Sequence, residues 1–134
     1  ATQTLTNKTL TTPSINNADM TGDAPATPVA NRMYRDSLIR GWIRFDGSTD
    51  PPTISDDFNV TSITDNGVGD YTINWATAFA NANYAVAGSC VAVTNGFVTL
   101  ASKAAGSVRI NVGNSVTGAL ADSSDVSVIA IGDQ

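Results

Sequence analysis

The sequence lacks histidine and glutamate altogether, and it has a single cysteine, Cys90. The chain therefore has few of the groups that usually carry out general acid–base catalysis, and it cannot form an internal disulfide. Charged residues make up only 14% of the 134 residues, and the formal net charge is −5. Such a balance argues against a nucleic-acid binder that relies on phosphate contacts. We expect Cys90, within the apolar run YAVAGSCVAV, to be a small buried residue.

Long apolar runs are also missing, because Asn, Ser, Thr and Gly interrupt every uncharged stretch. No signal peptide and no insertion into a membrane are therefore expected. The residues that do abound, Thr, Ser, Asn, Gly and Ala, favour short strands and polar turns. The length allows one folded domain and a tail, and we divide the chain into an extended segment, residues 1–29, and a β-rich globular domain, residues 30–134.

The first segment contains a near-repeat in which Leu5, Leu10 and Ile15 recur every five residues among Thr, Asn and Ser. One isolated chain cannot bury so few apolar groups well enough to offset the entropy of ordering its backbone. The regular spacing favours a thin fibre stem in which several chains share an apolar axis. A flexible linker broken by prolines is the alternative.

From Pro28 onwards the pattern changes, and the spacing predicts one short helix that ends before Gly41. Its apolar positions are Ala30, Met33, Tyr34 and Leu38. Four of the seven basic residues lie in or near it: Arg32, Arg35, Arg40 and Arg44. They could meet an acidic glycan or phosphate on a cell surface, but pairing with Asp36, Asp46 or a neighbouring subunit is the simpler interpretation.

The clearest local structure is a β-hairpin over residues 58–75. On its second arm Tyr71, Ile73 and Trp75 alternate with polar or small residues, which predicts one buried and one wet sheet face. On the first arm the alternation of apolar and polar residues is interrupted near Thr61 and Ser62, where we expect a bulge. The Asp, Asn and Gly residues between the arms suit a tight turn; they also resemble calcium ligands, but their spacing does not match an EF-hand loop.

About seven short strands follow from the whole pattern, and they predict an all-β fold: an antiparallel β-sandwich or barrel-like knob with one short helix. Residues 84–93 are apolar or small on both faces, so we predict a central strand there. Asn95 and Gly96 predict a two-residue hairpin that joins this strand to residues 97–101. Further strands are expected at 41–47, 107–112 and 125–132.

Four aspartates, Asp46, Asp50, Asp56 and Asp57, gather around the proline-rich break after the strand at 41–47. Paired carboxylates are what glycoside hydrolysis requires. Aspartates among Pro, Ser and Thr are more often turn and cap residues, so we predict no enzyme activity.

Loops on a rigid sheet commonly carry binding groups, and the longest loop expected in the globular part covers residues 113–124. With the Asn95 turn it supplies the candidate receptor-binding residues Asn95, Gly96, Asn114, Ser115, Thr117, Asp122 and Ser123. The aromatic candidates for stacking on a sugar ring are Trp42, Tyr71, Trp75, Tyr84 and Phe97, most of which we expect in the core.

Two blocks of sequence resemble a known family. TLTNKTLTTPSIN resembles the linker repeats that precede a globular tip in the tail fibres of tailed bacteriophages. NRMYRDSLIRGWIRFDG and DFNVTSITDNGVGDYTINWATAFANANYAV are similar to a C-terminal region common in phage tail-fibre and related virion proteins. The resemblance covers roughly residues 2–90, and the part beyond Cys90 is recognisable only as β-rich.

This resemblance implies a homotrimeric fibre on the virion, outside the cell, whose distal knob recognises a host surface glycan or outer-membrane component. It names no catalytic motif, and we expect no metal and no cofactor. The alternative is a structural virion component, such as a head fibre or decoration protein, that binds no receptor. A depolymerase is a third possibility.

Overall fold

Two four-stranded antiparallel sheets form the structure, a computed structural model that describes residues 38–91 and 95–134. The strands are β1 (Ile39–Asp46), β2 (Thr53–Phe58), β3 (Val60–Gly67), β4 (Asp70–Trp75), β5 (Ala85–Val91), β6 (Gly96–Ala104), β7 (Ser107–Asn114) and β8 (Asp125–Ile131). The predicted all-β antiparallel fold is confirmed. The described ranges contain no helix.

Sheet A has the strand order β2-β1-β8-β5, and sheet B has the order β3-β4-β7-β6. Every pair of neighbours is antiparallel. The predicted stem residues Leu5, Leu10 and Ile15 lie outside the described residues, as does nearly all of the predicted helix. Its last part, Ile39–Arg40, is strand instead.

The core lies between the two sheets and is built by period-two alternation. In β4, β7 and β8 every second side chain is buried, because one face of each strand points into the sandwich. The buried apolar residues are Ile43, Phe45, Tyr71, Ile73, Trp75, Phe79, Tyr84, Val108, Ile110, Val112, Val126, Val128 and Ala130. The buried positions predicted on β4, Tyr71, Ile73 and Trp75, are confirmed.

The predicted hairpin is confirmed as β3 and β4, with Ile63 opposite Ile73. The register shifts between Val60 and Ser62, where the sequence indicated a bulge. A second shift between Asp65 and Gly67 lets β3 continue further than expected, so the turn itself is short.

The central strand predicted at residues 84–93 is wrong, since β5 pairs only with β8 and lies at the edge of sheet A. The Asn95–Gly96 hairpin is wrong too, because β5 and β6 belong to different sheets. The small size of the β5 side chains explains both differences. The small side chains of β5 let the two sheet edges approach each other, so that a β-carbon on Gly88 would lie 2.8 Å from Val98 Cγ1. The connection crosses from one sheet to the other.

Two smaller differences concern single residues. Cys90, expected to be buried, is half-buried at this sheet edge, where its Sγ lies 3.6 Å from the carbonyl of Phe97. Phe58 does not begin the hairpin; it ends β2, a strand that the sequence pattern did not reveal.

The connections divide between two ends of the sandwich. We call the end where β1 begins the proximal end; Asn59 holds it together by donating to Arg40 O and Thr77 O at 2.9 and 3.0 Å. The opposite, distal end carries the β1–β2 and β3–β4 connections, Asn95, and the loop before β8. The direction of the strands fixes this division. Consecutive strands run in opposite directions, so successive connections lie alternately at the distal and the proximal end.

Candidate functional site

The two surfaces singled out from the sequence lie side by side at the distal end. Ser115 N donates to Asn95 O at 2.9 Å, and Gly96 pairs with Asn114 in the β6–β7 ladder. Asn95 adopts a left-handed conformation with φ of 51°, which Asn tolerates better than most residues. The separate predictions therefore describe one continuous surface.

The loop 113–124 is ordered by its own backbone. Asn114 Oδ1 accepts a hydrogen bond from Val116 N at 2.8 Å, and Asn114 O accepts one from Gly118 N at 2.8 Å. Asn114 N donates in turn to Ala119 O at 2.9 Å. This set closes a turn whose tip, residues 115–120, is exposed. Such a turn presents its tip groups in a fixed arrangement.

The base of the loop is fastened to sheet B by Asp122. Its Oδ1 accepts from Gly69 N at 2.7 Å and lies 2.7 Å from the hydroxyl of Tyr71. Gly69 is required here for two reasons: its φ is +64°, and an added β-carbon would collide with Val112 O. The β3–β4 turn and the loop before β8 are thus locked together.

Tyr71 is the buried centre of this network. Its hydroxyl also lies 2.9 Å from Gly47 O, so the single proton has two acceptors. Burial, and then the hydrogen bond to Asp122, raise the pKa of Tyr71 above its ordinary value. The hydroxyl stays protonated and remains a donor. It links the β1–β2 connection to the loop.

Ser123 completes the anchoring. It is only 1% exposed, and its hydroxyl lies within hydrogen-bond distance of Val91 O and Asp125 O. Its carbonyl accepts from Gly47 N at 2.9 Å. Ser123, predicted as a receptor contact, thus has a buried and hydrogen-bonded side chain that supports the base of the loop.

The other predicted contact residues divide into two groups. Asn114 is half-buried and shapes the turn, and Asp122 uses one carboxylate oxygen to hold the loop base. Asp122 is nevertheless exposed, and so are Asn95, Gly96, Ser115 and Thr117.

Two apolar residues of the loop were missed, Val116 at 72% exposure and Leu120 at 40%. The sequence did indicate the exposure of Val116. This residue is apolar and lies between Ser115 and Thr117 in a turn-rich loop, and such a loop has no core in which to bury it.

None of the five aromatic candidates is freely exposed. Tyr71, Trp75 and Tyr84 are core residues, while Trp42 and Phe97 are half-buried. The exposed aromatic ring of the described residues is Phe58, at 53%, on the outer face of sheet A.

Two of the aspartates, Asp46 and Asp70, have structural roles. Asp46 Oδ1 accepts from Ser48 N at 2.8 Å, as expected for a turn residue. Asp70 pairs with Arg109 at 2.5 Å, and this hydrogen bond lowers the pKa of that carboxyl. Within residues 38–91 and 95–134, no three His, Cys or Asp side chains are grouped as a metal site would require.

A shallow cleft of about 360 Å³ lies at the proximal end, lined by Asn81, Asn83, Tyr84 and Gly132 among others. It is next to the start of β1, where the preceding part of the chain joins the domain. The distal surface is therefore the better candidate for contacting an external partner.

Comparison with known proteins gave no match to a family model, to a curated protein or to a solved structure. In the part of the chain that the structure describes, no helix is long and apolar enough to cross a membrane.

Proposed function

We propose that this chain is the receptor-recognising tip of a tailed-phage tail fibre, a non-enzymatic homotrimer that binds a host-cell surface glycan or outer-membrane component. The resemblance of residues 2–90 to phage fibre sequences supports the family. The arrangement of the two ends of the sandwich supports the role.

One observation carries the proposal: the chain joins the domain at one end, and the exposed loop 115–120 lies at the other. β1 runs between the two ends over eight residues, which is about 26 Å of extended strand. A stem that precedes residue 38 would place the loop at the outermost point of a fibre, where a host surface is met first.

The chemistry of the distal surface fits weak, polar recognition. Ser115, Thr117 and Asn95 offer hydroxyl and amide groups, and Val116 adds an apolar contact. Because the loop is already ordered, little conformational entropy is lost on binding. Single sites of this kind bind weakly, but three copies on one knob would increase the apparent affinity without new contacts.

The test is binding of the labelled full chain to a panel of bacterial cells and to their purified surface polysaccharides. Replacing Val116 with Ser and Thr117 with Ala should abolish binding. The matched control changes two exposed residues of the proximal end, Asn81→Ala with Ala82→Ser, and should bind normally. If the wild type, the Val116→Ser/Thr117→Ala variant and the control bind equally well, the exposed loop is not the binding site.

A structural virion component is the second candidate, and the exposed Phe58, beside Trp42 on the outer face of sheet A, favours it, since exposed apolar groups are often buried in an assembly. That role predicts that the wild-type chain binds no cell on the panel. Light scattering on a sizing column decides the oligomeric state independently, and a trimer is expected.

A further inference from the structure

The sandwich has two sides, each formed by one edge strand from each sheet. β2 and β3 lie at the edges on one side, and β5 and β6 face each other on the other side. The edges of β2 and β3 are protected. β2 carries Asp56 and Asp57, β3 carries Asp65, and the ladder of each strand has a register shift. Charged side chains and bulges are common means by which proteins keep an exposed edge from pairing with another strand.

The β5–β6 side lacks most of this protection. β5 contains no charge and no proline, and it pairs with β8 over seven consecutive residues without a register shift. The one charged residue of β6 is Lys103, whose ammonium group already donates to Tyr84 O at 2.5 Å. The whole chain has a net charge of −5, so this uncharged side is where a copy can approach with little repulsion.

β6 also has backbone groups that point away from its own sheet. Val98 lies opposite Val112 of β7, but Val112 N donates to Gly69 O at 2.7 Å on the other side of β7. Asn114, opposite Gly96, likewise donates within its own loop. These are therefore non-hydrogen-bonded pairs of the antiparallel ladder, and the N–H and C=O groups of Gly96 and Val98 point to the free edge.

One apolar side chain of β6 is turned inward without being covered. Leu100 lies opposite Ile110, which is 1% exposed in the core, so the register directs Leu100 to the same face of the sheet. Leu100 is nevertheless 50% exposed. The sandwich is narrow here, since a β-carbon on Gly88 would lie 2.8 Å from Val98 Cγ1. A further strand on this edge would cover Leu100.

A second copy of this chain supplies a strand that fits. Pairing with the β6 edge without repulsion or steric conflict requires an uncharged strand with small side chains. β5 is such a strand, with the sequence AVAGSCV. β5 runs from the proximal to the distal end and β6 runs back. When copies lie side by side in the same orientation, β5 of one copy is therefore antiparallel to β6 of the next.

We propose that copies of this chain assemble through the β5–β6 side, with β5 of one copy added to the β6 edge of the next. In the homotrimer of the proposed function, three such contacts would surround one axis parallel to the strands. That arrangement places residues 115–120 of all three copies at the same end. The proposal rests on the self-assembly in the proposed function, and it does not rest on receptor binding.

Hydrogen exchange of the full chain, measured residue by residue, tests the contact. In the assembled wild type, the amides of Gly96 and Val98 should exchange at least about tenfold more slowly than in a Leu100→Lys variant, because a neighbouring strand protects them. The amide of Thr99, which faces β7 in the same ladder, should be slow in both proteins. Unprotected amides at Gly96 and Val98 in an assembled wild type would overturn the proposal.

Light scattering on a sizing column tests the same contact by mass. Leu100→Lys places a charge in the contact and should lower the molar mass from that of the assembly towards that of one chain. Val68→Lys makes the same change of charge at a residue that is 61% exposed in the β3–β4 connection, and it should keep the wild-type mass. If Leu100→Lys does not fold, Ala87→Lys, at an exposed position of β5, takes its place in both experiments.

The outcomes separate this contact from the proposed function. A wild-type assembly that both lysine variants of the β5–β6 side leave intact would overturn the contact and leave the homotrimer standing. A wild-type monomer would overturn both. An assembly that dissociates with Leu100→Lys supports the contact even if the wild type binds no cell on the panel.

Discussion

The two ends of the sandwich are held together by different interactions. At the proximal end, Trp75, Phe79 and Tyr84 form a buried aromatic cluster, with Phe79 and Tyr84 stacked at 4.0 Å between ring centroids. At the distal end, Phe45 and Tyr71 continue the apolar core, and the Tyr71 hydroxyl joins the β1–β2 connection to Asp122 of the loop before β8 through hydrogen bonds. The difference shows how one small domain can have a firm base and a polar, outward surface.

An aromatic cluster gains its free energy from burial and tolerates no gap, whereas a hydrogen-bonded loop base positions groups without filling a core. This explains why exposed residues 115–120 can be held in place although none of them packs in the interior. We expect mutations at the proximal end to act on stability, and mutations at the distal tip to act on recognition.

Trp75→Ala should have the largest effect. It removes edge contacts to Phe79 and Tyr84 and the indole hydrogen bond to Tyr84 at 3.2 Å, and it leaves a large cavity. We expect the free energy of unfolding to fall by about 3–5 kcal/mol, measured by urea denaturation. Trp42→Ala, at a half-buried position, is the matched comparison and should cost clearly less. If both variants lose the same free energy of unfolding, the proximal aromatic cluster does not stabilise the fold more than a half-buried position does.

Tyr71→Phe should come next and act on the distal end. The ring still packs edge-on against Phe45, but Gly47 O and Asp122 lose the Tyr71 hydroxyl, and Asp122 keeps the Gly69 N donor. We expect a loss of about 1–3 kcal/mol, because buried acceptors are left with fewer partners. Hydrogen exchange should speed up at Gly69 N, which Asp122 holds. If exchange there stays unchanged, Tyr71 does not anchor the loop.

Asp70→Asn should have a small effect, because the Asp70–Arg109 pair lies on the solvated face of sheet B. We expect a loss below about 1 kcal/mol at neutral pH. Its hydrogen bond to Arg109 lowers the pKa of Asp70 from its ordinary value of 3.8, so the carboxylate stabilises the fold above that pH.

The contribution of this carboxylate is lost as pH falls through the lowered pKa. The difference in unfolding free energy between the wild type and Asp70→Asn should therefore vanish in acid below that pKa. A difference that persists there would show that the mutation acts through packing and not through charge.

Val116→Ser with Thr117→Ala should change stability least, within about 0.5 kcal/mol, because both side chains are exposed. Its effect should fall on binding instead. Thermal unfolding checks the first expectation and cell binding the second. A variant that unfolds early would show that the tip contributes to the fold, and the contrast between the two ends would not hold.

Local sequence patterns were enough to predict the strands with clear alternation. β4, β7 and β8 bury alternate residues, and Asp, Asn and Gly marked the turn between β3 and β4. The loop before β8 was also predicted, since its turn residues are local. β2, by contrast, has the sequence TISDDF with little alternation, and it is a strand because it pairs with β1.

Contacts between distant residues could not be predicted. Tyr71 and Asp122 are 51 positions apart, and nothing near either residue indicates that they meet. The edge position of β5 was missed for the same reason. Its small apolar residues resemble a buried strand, and only the approach of Gly88 to Val98 in the other sheet explains their size.

The most direct test of the account is hydroxyl-radical footprinting of the full chain bound to a surface polysaccharide from a bacterium that it recognises. The account predicts that protection on binding concentrates at Asn95, Gly96 and residues 115–120, while Phe58 and the proximal end are unchanged. Protection at the proximal end or on a sheet face, with the loop unchanged, would contradict the claim that the distal loop is the recognition surface.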